Sequence, residues 1–195
     1  MAVPQSVLTW QNEESGGFET AWVELAPSGL RARGRAVGVV PHPYWLSYEL
    51  DTDEEFVTRR LQVTAEDATG TRSLDLRRAD GDQGGTWTAN GAPLPLVDGA
   101  LDCDLGLCPL TNTMPVLRHR LHRGEGQRDF LMAWVSVPDL TVRPSRQTYT
   151  HLGRAGDGGA TVRYASGTYV SDLEFDETGL VVSYPGIARR LPALD

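Results

Sequence analysis

Tyr44-Trp45-Leu46-Ser47-Tyr48-Glu49-Leu50-Asp51 is the stretch whose reading decides the fold. Tyr44, Leu46, Tyr48 and Leu50 alternate with Trp45, Ser47, Glu49 and Asp51. A period of two sends successive side chains to opposite faces of an extended chain, so this is a strand with one apolar face. The same rhythm returns at Tyr169, Ser171, Leu173 and Phe175 against Val170, Asp172, Glu174 and Asp176, and at Leu74 and Leu76 against Ser73, Asp75 and Arg77. Turn residues punctuate the chain every eight to fifteen positions, among them Pro27-Ser28-Gly29, Asn90-Gly91, Gly156-Asp157-Gly158-Gly159 and Thr178-Gly179. Short strands at that spacing predict an all-β protein. Its expected form is one domain over residues 1–195, a strongly curved antiparallel sheet closing to a half-open barrel. No segment keeps a helical period for ten residues. At most one short helix is expected near 113–121, capped by Asn112 or Thr113, with Pro115 in its first turn.

Two strands depart from simple alternation. Phe130 to Val137 is apolar on both faces and predicts a central strand covered on both sides, with Trp134 in the core. Leu30 to Val40 places Ala32, Gly34, Ala36 and Gly38 on one face, which leaves room for a large neighbouring side chain or for a ligand. Tyr48-Glu49-Leu50-Asp51 and Leu173-Glu174-Phe175-Asp176 echo each other, so a duplicated half-sheet is one reading and chance similarity of two strands is the other.

The 195 residues suffice for one substantial core, and 40% hydrophobic with 23% charged residues is ordinary globular composition. A formal charge of −8 argues against nucleic-acid binding and against a basic membrane patch. All 18 cationic residues are arginine, each a planar and permanently charged fork. The first 20 residues carry neither a basic start nor an apolar core of a signal peptide, and no apolar run reaches membrane-spanning length, so a cytoplasmic protein without stable membrane insertion is expected. Cys103 and Cys108 are expected as free thiols. A short-loop disulfide needs a tight turn, and a two-cysteine metal site lacks ligands.

Between the strands lies Leu101 to Leu117, with two carboxylates, two thiols, a Thr111-Asn112-Thr113 triplet and two prolines in an otherwise apolar run. It is too apolar for a solvated loop, and Pro109 and Pro115 exclude a plain strand. An ordered, partly buried crossover that shapes a ligand site is expected.

Asp102-x-Asp104-Leu105-Gly106, followed by Pro109-x-Thr111-Asn112-Thr113-x-Pro115, resembles the central motif of a bacterial family called putative glycolipid-binding proteins. Asp53 to Arg60, Gly84 to Gly91 and Asp176 to Gly186 resemble further segments of that family, in order and spacing, so the likeness runs over residues 8–190. It implies a fold like the lipid and lipoprotein carriers, and a glycolipid ligand.

The candidate site residues follow. Thr111, Asn112 and Thr113 supply uncharged donors and acceptors suited to sugar hydroxyls, or else satisfy backbone groups at the crossover. Asp102 and Asp104 are two apart and share a strand face, either for acid–base work or metal binding, or as turn caps or partners of arginines. Arg59 is placed with Val57, Leu61 and Val63, where it pairs with Glu49 or Asp51 or meets a lipid head group. Tyr149, with Arg146, is a second such place, and Tyr48 belongs to the aromatic lining of the concave face. No nucleophile elbow, phosphate loop, dinucleotide fingerprint or metal motif is present, so neither catalysis nor a cofactor is expected. The expected function is non-enzymatic binding of an amphiphilic small molecule. Its rivals are an enzyme on a closed barrel acting on a small glycan or nucleotide through Asp102 or Asp104, and a ligand-free protein-interaction module.

Overall fold

The computed structural model describes residues 5–81, 85–155 and 158–192. Gly84 and the first half of the Gly156–Gly159 turn lie outside the described residues. The strands are β1 (Gln5–Asn12), β2 (Gly17–Ala26), β3 (Gly29–Gly38), β4 (Tyr44–Thr52), β5 (Thr58–Asp67), β6 (Gly70–Ala79), β7 (Thr86–Ala89) and β8 (Ala92–Pro93), then β9 (Asp102–Leu105). After the α-helix α1 (Thr113–Arg118) come β10 (Gln127–Val135), β11 (Val142–Arg154), β12 (Ala160–Ser166), β13 (Tyr169–Phe175), β14 (Val181–Tyr184) and β15 (Ala188–Arg190). All belong to one curved, unclosed sheet in the order β8-β7-β6-β5-β4-β3-β2-β1-β15-β14-β13-β12-β11-β10-β9. Two meanders are therefore seamed where β1 meets β15, with β4 in one half and its echo β13 in the other. Among the described residues no helix is long and apolar enough to cross a membrane.

The alternation that defined β4 holds residue by residue. Tyr44, Leu46, Tyr48 and Leu50 are buried, while Trp45, Ser47 and Glu49 face out. The room beside Gly34 and Gly38 belongs to neighbours, because Gly34 is paired with Tyr48 and Gly38 with Tyr44. A Cβ on Gly34 would stand 2.3 Å from the Tyr48 ring, and one on Gly38 2.6 Å from the Tyr44 ring. Asn90 and Gly91 both adopt positive φ (51° and 81°), the mirror-image turn that joins β7 to β8.

The inside of the curved sheet differs from the expectation of an open concave face. Residues 95–121 fill it with 3-10 turns at Pro95–Val97 and Pro109–Asn112, strand β9 and α1. Val97, Ala100, Cys103, Leu110, Met114 and Leu117 pack with the inward residues of β2 to β6, while Val116 and Leu121 pack with Tyr149, Val162, Leu173 and Phe175 of the second half. A segment this apolar buries more surface between two half-sheets than either half could bury around an empty space. β9 runs parallel to β10, the one departure from antiparallel pairing among the described residues, because the crossover returns along the sheet. β10 is apolar on both faces for the same reason: Met132 joins the second-half cluster, Ala133 and Val135 the first.

The segments resembling the family converge on this crossover. Thr58 N–H donates to the Leu101 carbonyl at 3.0 Å, and the Thr58 hydroxyl accepts from Cys103 N–H at 3.1 Å. Trp87 Nε1 donates to the Ala100 carbonyl at 3.0 Å. A Cβ on Gly179, at φ +86°, would lie 2.6 Å from Leu117 and 3.1 Å from His122.

Candidate functional site

Asp102 and Asp104 sit two apart on β9, opposite Met132 and Trp134 of β10, and their surroundings diverge completely. Asp102 has no exposed surface. Arg118, from the last turn of α1, holds it with two guanidinium nitrogens, Nη1 to Oδ1 at 2.9 Å and Nη2 to Oδ2. Nη1 also donates to the Phe56 carbonyl at 3.3 Å, and the guanidinium lies over the Phe130 ring at 5.7 Å. Burial holds the Asp102 carboxyl above its usual range, and Arg118 offsets only part of that shift. This is a sealed ion pair.

Asp104 meets neutral partners. Gln147 Nε2 donates to Oδ2 at 2.6 Å, and the Thr111 hydroxyl stands 3.0 Å from Oδ1 and 3.0 Å from the Cys108 carbonyl. Thr111 in turn accepts from Leu105 N–H at 3.1 Å. Asn112 Nδ2 donates to the Tyr149 hydroxyl at 2.9 Å, and Tyr149 donates to Gln147 Oε1 at 3.2 Å. Donors thus run from Asn112 through Tyr149 and Gln147 to Asp104, and from the second side through Thr111. Burial raises the Asp104 carboxyl, and the bonds from Gln147 and Thr111 oppose that shift. A buried network with every member partnered fixes one geometry.

Asp104 and Asn112 reach a cavity of about 410 Å3 between the crossover and the second half. Its walls include Trp134, Tyr164 and Tyr184, and its rim includes Val40, Pro41 and Glu14. Tyr164 packs edge-on against Tyr149 at 5.4 Å and lies 5.8 Å from Tyr184, with Tyr169 beside both. Trp134 is half-buried and covers Gly106, so it is a wall of the cavity and not the core residue expected from the two-faced strand.

The remaining predicted residues lie elsewhere. Thr113 is fully buried with its hydroxyl unpartnered, and Thr111 is held inside the network rather than at a mouth. Asn112 precedes α1 but makes no capping bond with its side chain, which goes to Tyr149 instead. Tyr48 is 2% exposed inside the first half, its hydroxyl donating to the buried Glu19 carboxyl. Arg59 is exposed: Asp51 pairs with Arg60 but Thr52 with Thr58, so Arg59 is the extra residue of a bulge and leaves the phase of Leu61 and Val63. Arg146 is exposed and Tyr149 buried, since residues three apart on a strand face opposite ways. Cys103 and Cys108 are free and buried, and burial pushes the Cys103 thiol up to about 12. Among the described residues no group of three or more His, Cys, Asp or Glu side chains is placed to hold a metal ion.

Sequence reasoning missed Gln147, Tyr164 and Tyr184. A signal existed for the first: Gln147 and Tyr149 share the inward face of β11, and an inward glutamine needs a polar partner.

A family model described as putative glycolipid-binding matches residues 7–190. The crystal structure of a DUF1089 family protein from Pseudomonas aeruginosa is 31% identical, with a TM-score of 0.71 over 89% of this chain and 92% of that one. No curated protein matches the chain.

Proposed function

The chain belongs to the putative glycolipid-binding family, and from that premise we propose that it binds an amphiphile without transforming it, the sugar end seated in the Asp104–Asn112 cavity. One observation carries the reading: a cavity of about 410 Å3 joins aromatic walls to a preorganised polar floor. Aromatic faces cover the apolar side of a sugar ring, while fixed donors and acceptors read its hydroxyls. An apolar groove borders the same loop as the cavity. The 39–43 loop turns Val40 and Pro41 to the cavity, and Val39, His42 and Pro43 to a neighbouring groove of about 490 Å3 shared with Val37 and Trp45. Val37, Val39 and Trp45 are exposed there, more apolar surface than solvent contact alone favours.

Titration with dodecyl maltoside below its micelle concentration tests this. Binding below millimolar is expected, weakened about tenfold by Trp134→Ala, a loss within the range of one wall contact. No binding of dodecyl maltoside or of lauric acid below millimolar abandons the carrier reading, and the apolar groove then supports a protein partner. A second reading has one observation behind it: Asp104 is a buried carboxyl with a raised pKa at a cavity, the setting of a general acid. Release of free sugar from an aryl glycoside, abolished by Asp104→Asn, would favour it.

A further inference from the structure

The signs of the charges around the cavity narrow the ligand further. Asp104 and Glu14 are the charged side chains that line it. All eighteen arginines fall within the described residues, and none lines the cavity; neither does any of the four histidines. The protein therefore carries many forks suited to phosphate and directs every one elsewhere. Arg118 is spent on Asp102, Arg60 on Asp75, Arg163 on Asp172 and Arg190 on Asp176. An anionic head group entering the cavity would lose its hydration, meet a carboxylate on the floor and another on the rim, and find no arginine or histidine in the lining. Protonation of Asp104 would remove a repulsion without creating an attraction. An uncharged, hydroxyl-bearing group has the opposite balance, because the lone pairs left on the Asp104 carboxylate accept hydroxyl hydrogens.

Resting on the carrier reading, we infer that the ligand's head group is an uncharged sugar, and that the cavity rejects phosphate- and sulfate-bearing lipids. Calorimetric titration at neutral pH and low salt, with three monomeric amphiphiles that share one dodecyl chain, separates the two ideas. Dodecyl maltoside is expected to bind at least about tenfold tighter than dodecyl phosphate, the scale of one like-charge contact in a partly screened site. Added salt should narrow that gap. Glu14→Gln should narrow it too, and Glu14 is exposed, so this variant does not disturb the core. Dodecyl phosphate binding as tightly as the maltoside, or dodecyltrimethylammonium binding tighter than it, overturns the uncharged-sugar inference and leaves the carrier reading in place. Failure of all three below millimolar overturns both. Maltoside affinity that is indifferent to Trp134→Ala places the binding outside this cavity and overturns the inference as well.

Discussion

The two half-sheets meet the crossover in different ways. Against β2 to β6 the crossover presents Cys103, Leu110 and Met114, and the contact is mostly apolar, with the hydrogen bonds of Thr58 to Leu101 and Cys103 beside it. Against β11 to β14 it presents Asp104, Thr111 and Asn112, and the partners are Gln147 and a cluster of tyrosines. The first contact fills its space. The second leaves about 410 Å3, bordered by Asp104, Asn112, Trp134, Tyr164 and Tyr184. One strand of four residues therefore carries a structural aspartate and, two positions on, an aspartate that opens on a cavity.

The largest expected effect breaks the structural side of that contrast. Arg118→Ala strands Asp102 as an unpaired buried charge and should cost about 3–5 kcal/mol in urea denaturation. The loss should shrink at acid pH, where Asp102 is protonated. Replacing both partners, Asp102→Asn with Arg118→Met, should recover much of it. A loss below about 1 kcal/mol for Arg118→Ala would mean that the pair is solvated, like an ordinary surface bridge.

Next comes the Glu19–Tyr48 pair of the first half. Burial pushes the Glu19 carboxyl up to about 8, against the hydrogen bond from Tyr48, and Oε2 has no partner. Its folded pKa exceeds its unfolded value, so between about pH 5 and pH 8 the folded state still holds a proton that the unfolded state has already released. Stability should fall as pH rises through that window. Glu19→Gln cannot titrate, and its advantage over wild type should grow by on the order of 3 kcal/mol across the window. Parallel melting curves against pH would expose a Glu19 that stays ionised.

A smaller effect sharpens the cavity side. Asn112 is 4% exposed, and its amide is what reaches Tyr149. Asn112→Ala should lower stability by about 1–3 kcal/mol and weaken glycoside binding too, since it both supports the network and lines the cavity. Loss of affinity with unchanged stability would return Asn112 to a pure rim role. The smallest effect belongs to Arg59: carried outward by the bulge, Arg59→Ala should change stability by no more than about 0.5 kcal/mol and leave glycoside affinity unchanged.

Local pattern was enough for much of this. The strand at Tyr44–Asp51, the Asn90-Gly91 turn and the short helix after Asn112 were legible because each depends on residues within one or two turns of chain. The crossover was legible as ordered and partly buried from its composition. Arg59 was misplaced because a bulge shifts phase by one residue, and period-two reasoning carries no signal of that shift. Trp134 was assigned to the core because its strand is apolar on both faces; the two faces serve two clusters, and the cavity takes part of one.

By itself the sequence determined that this chain is a sheet, that its residues 101–117 are held in order, and that its cations are forks of one kind. Which aspartate is sealed and which faces a cavity was decided only by tertiary structure. Asp102 and Asp104 have the same chemistry and the same strand face. What separates them is Arg118 arriving from α1 at one and Gln147 from β11 at the other, 16 and 43 residues away in sequence. Strand alternation reports on neighbours two residues apart; partners brought by a closing sheet are invisible to it.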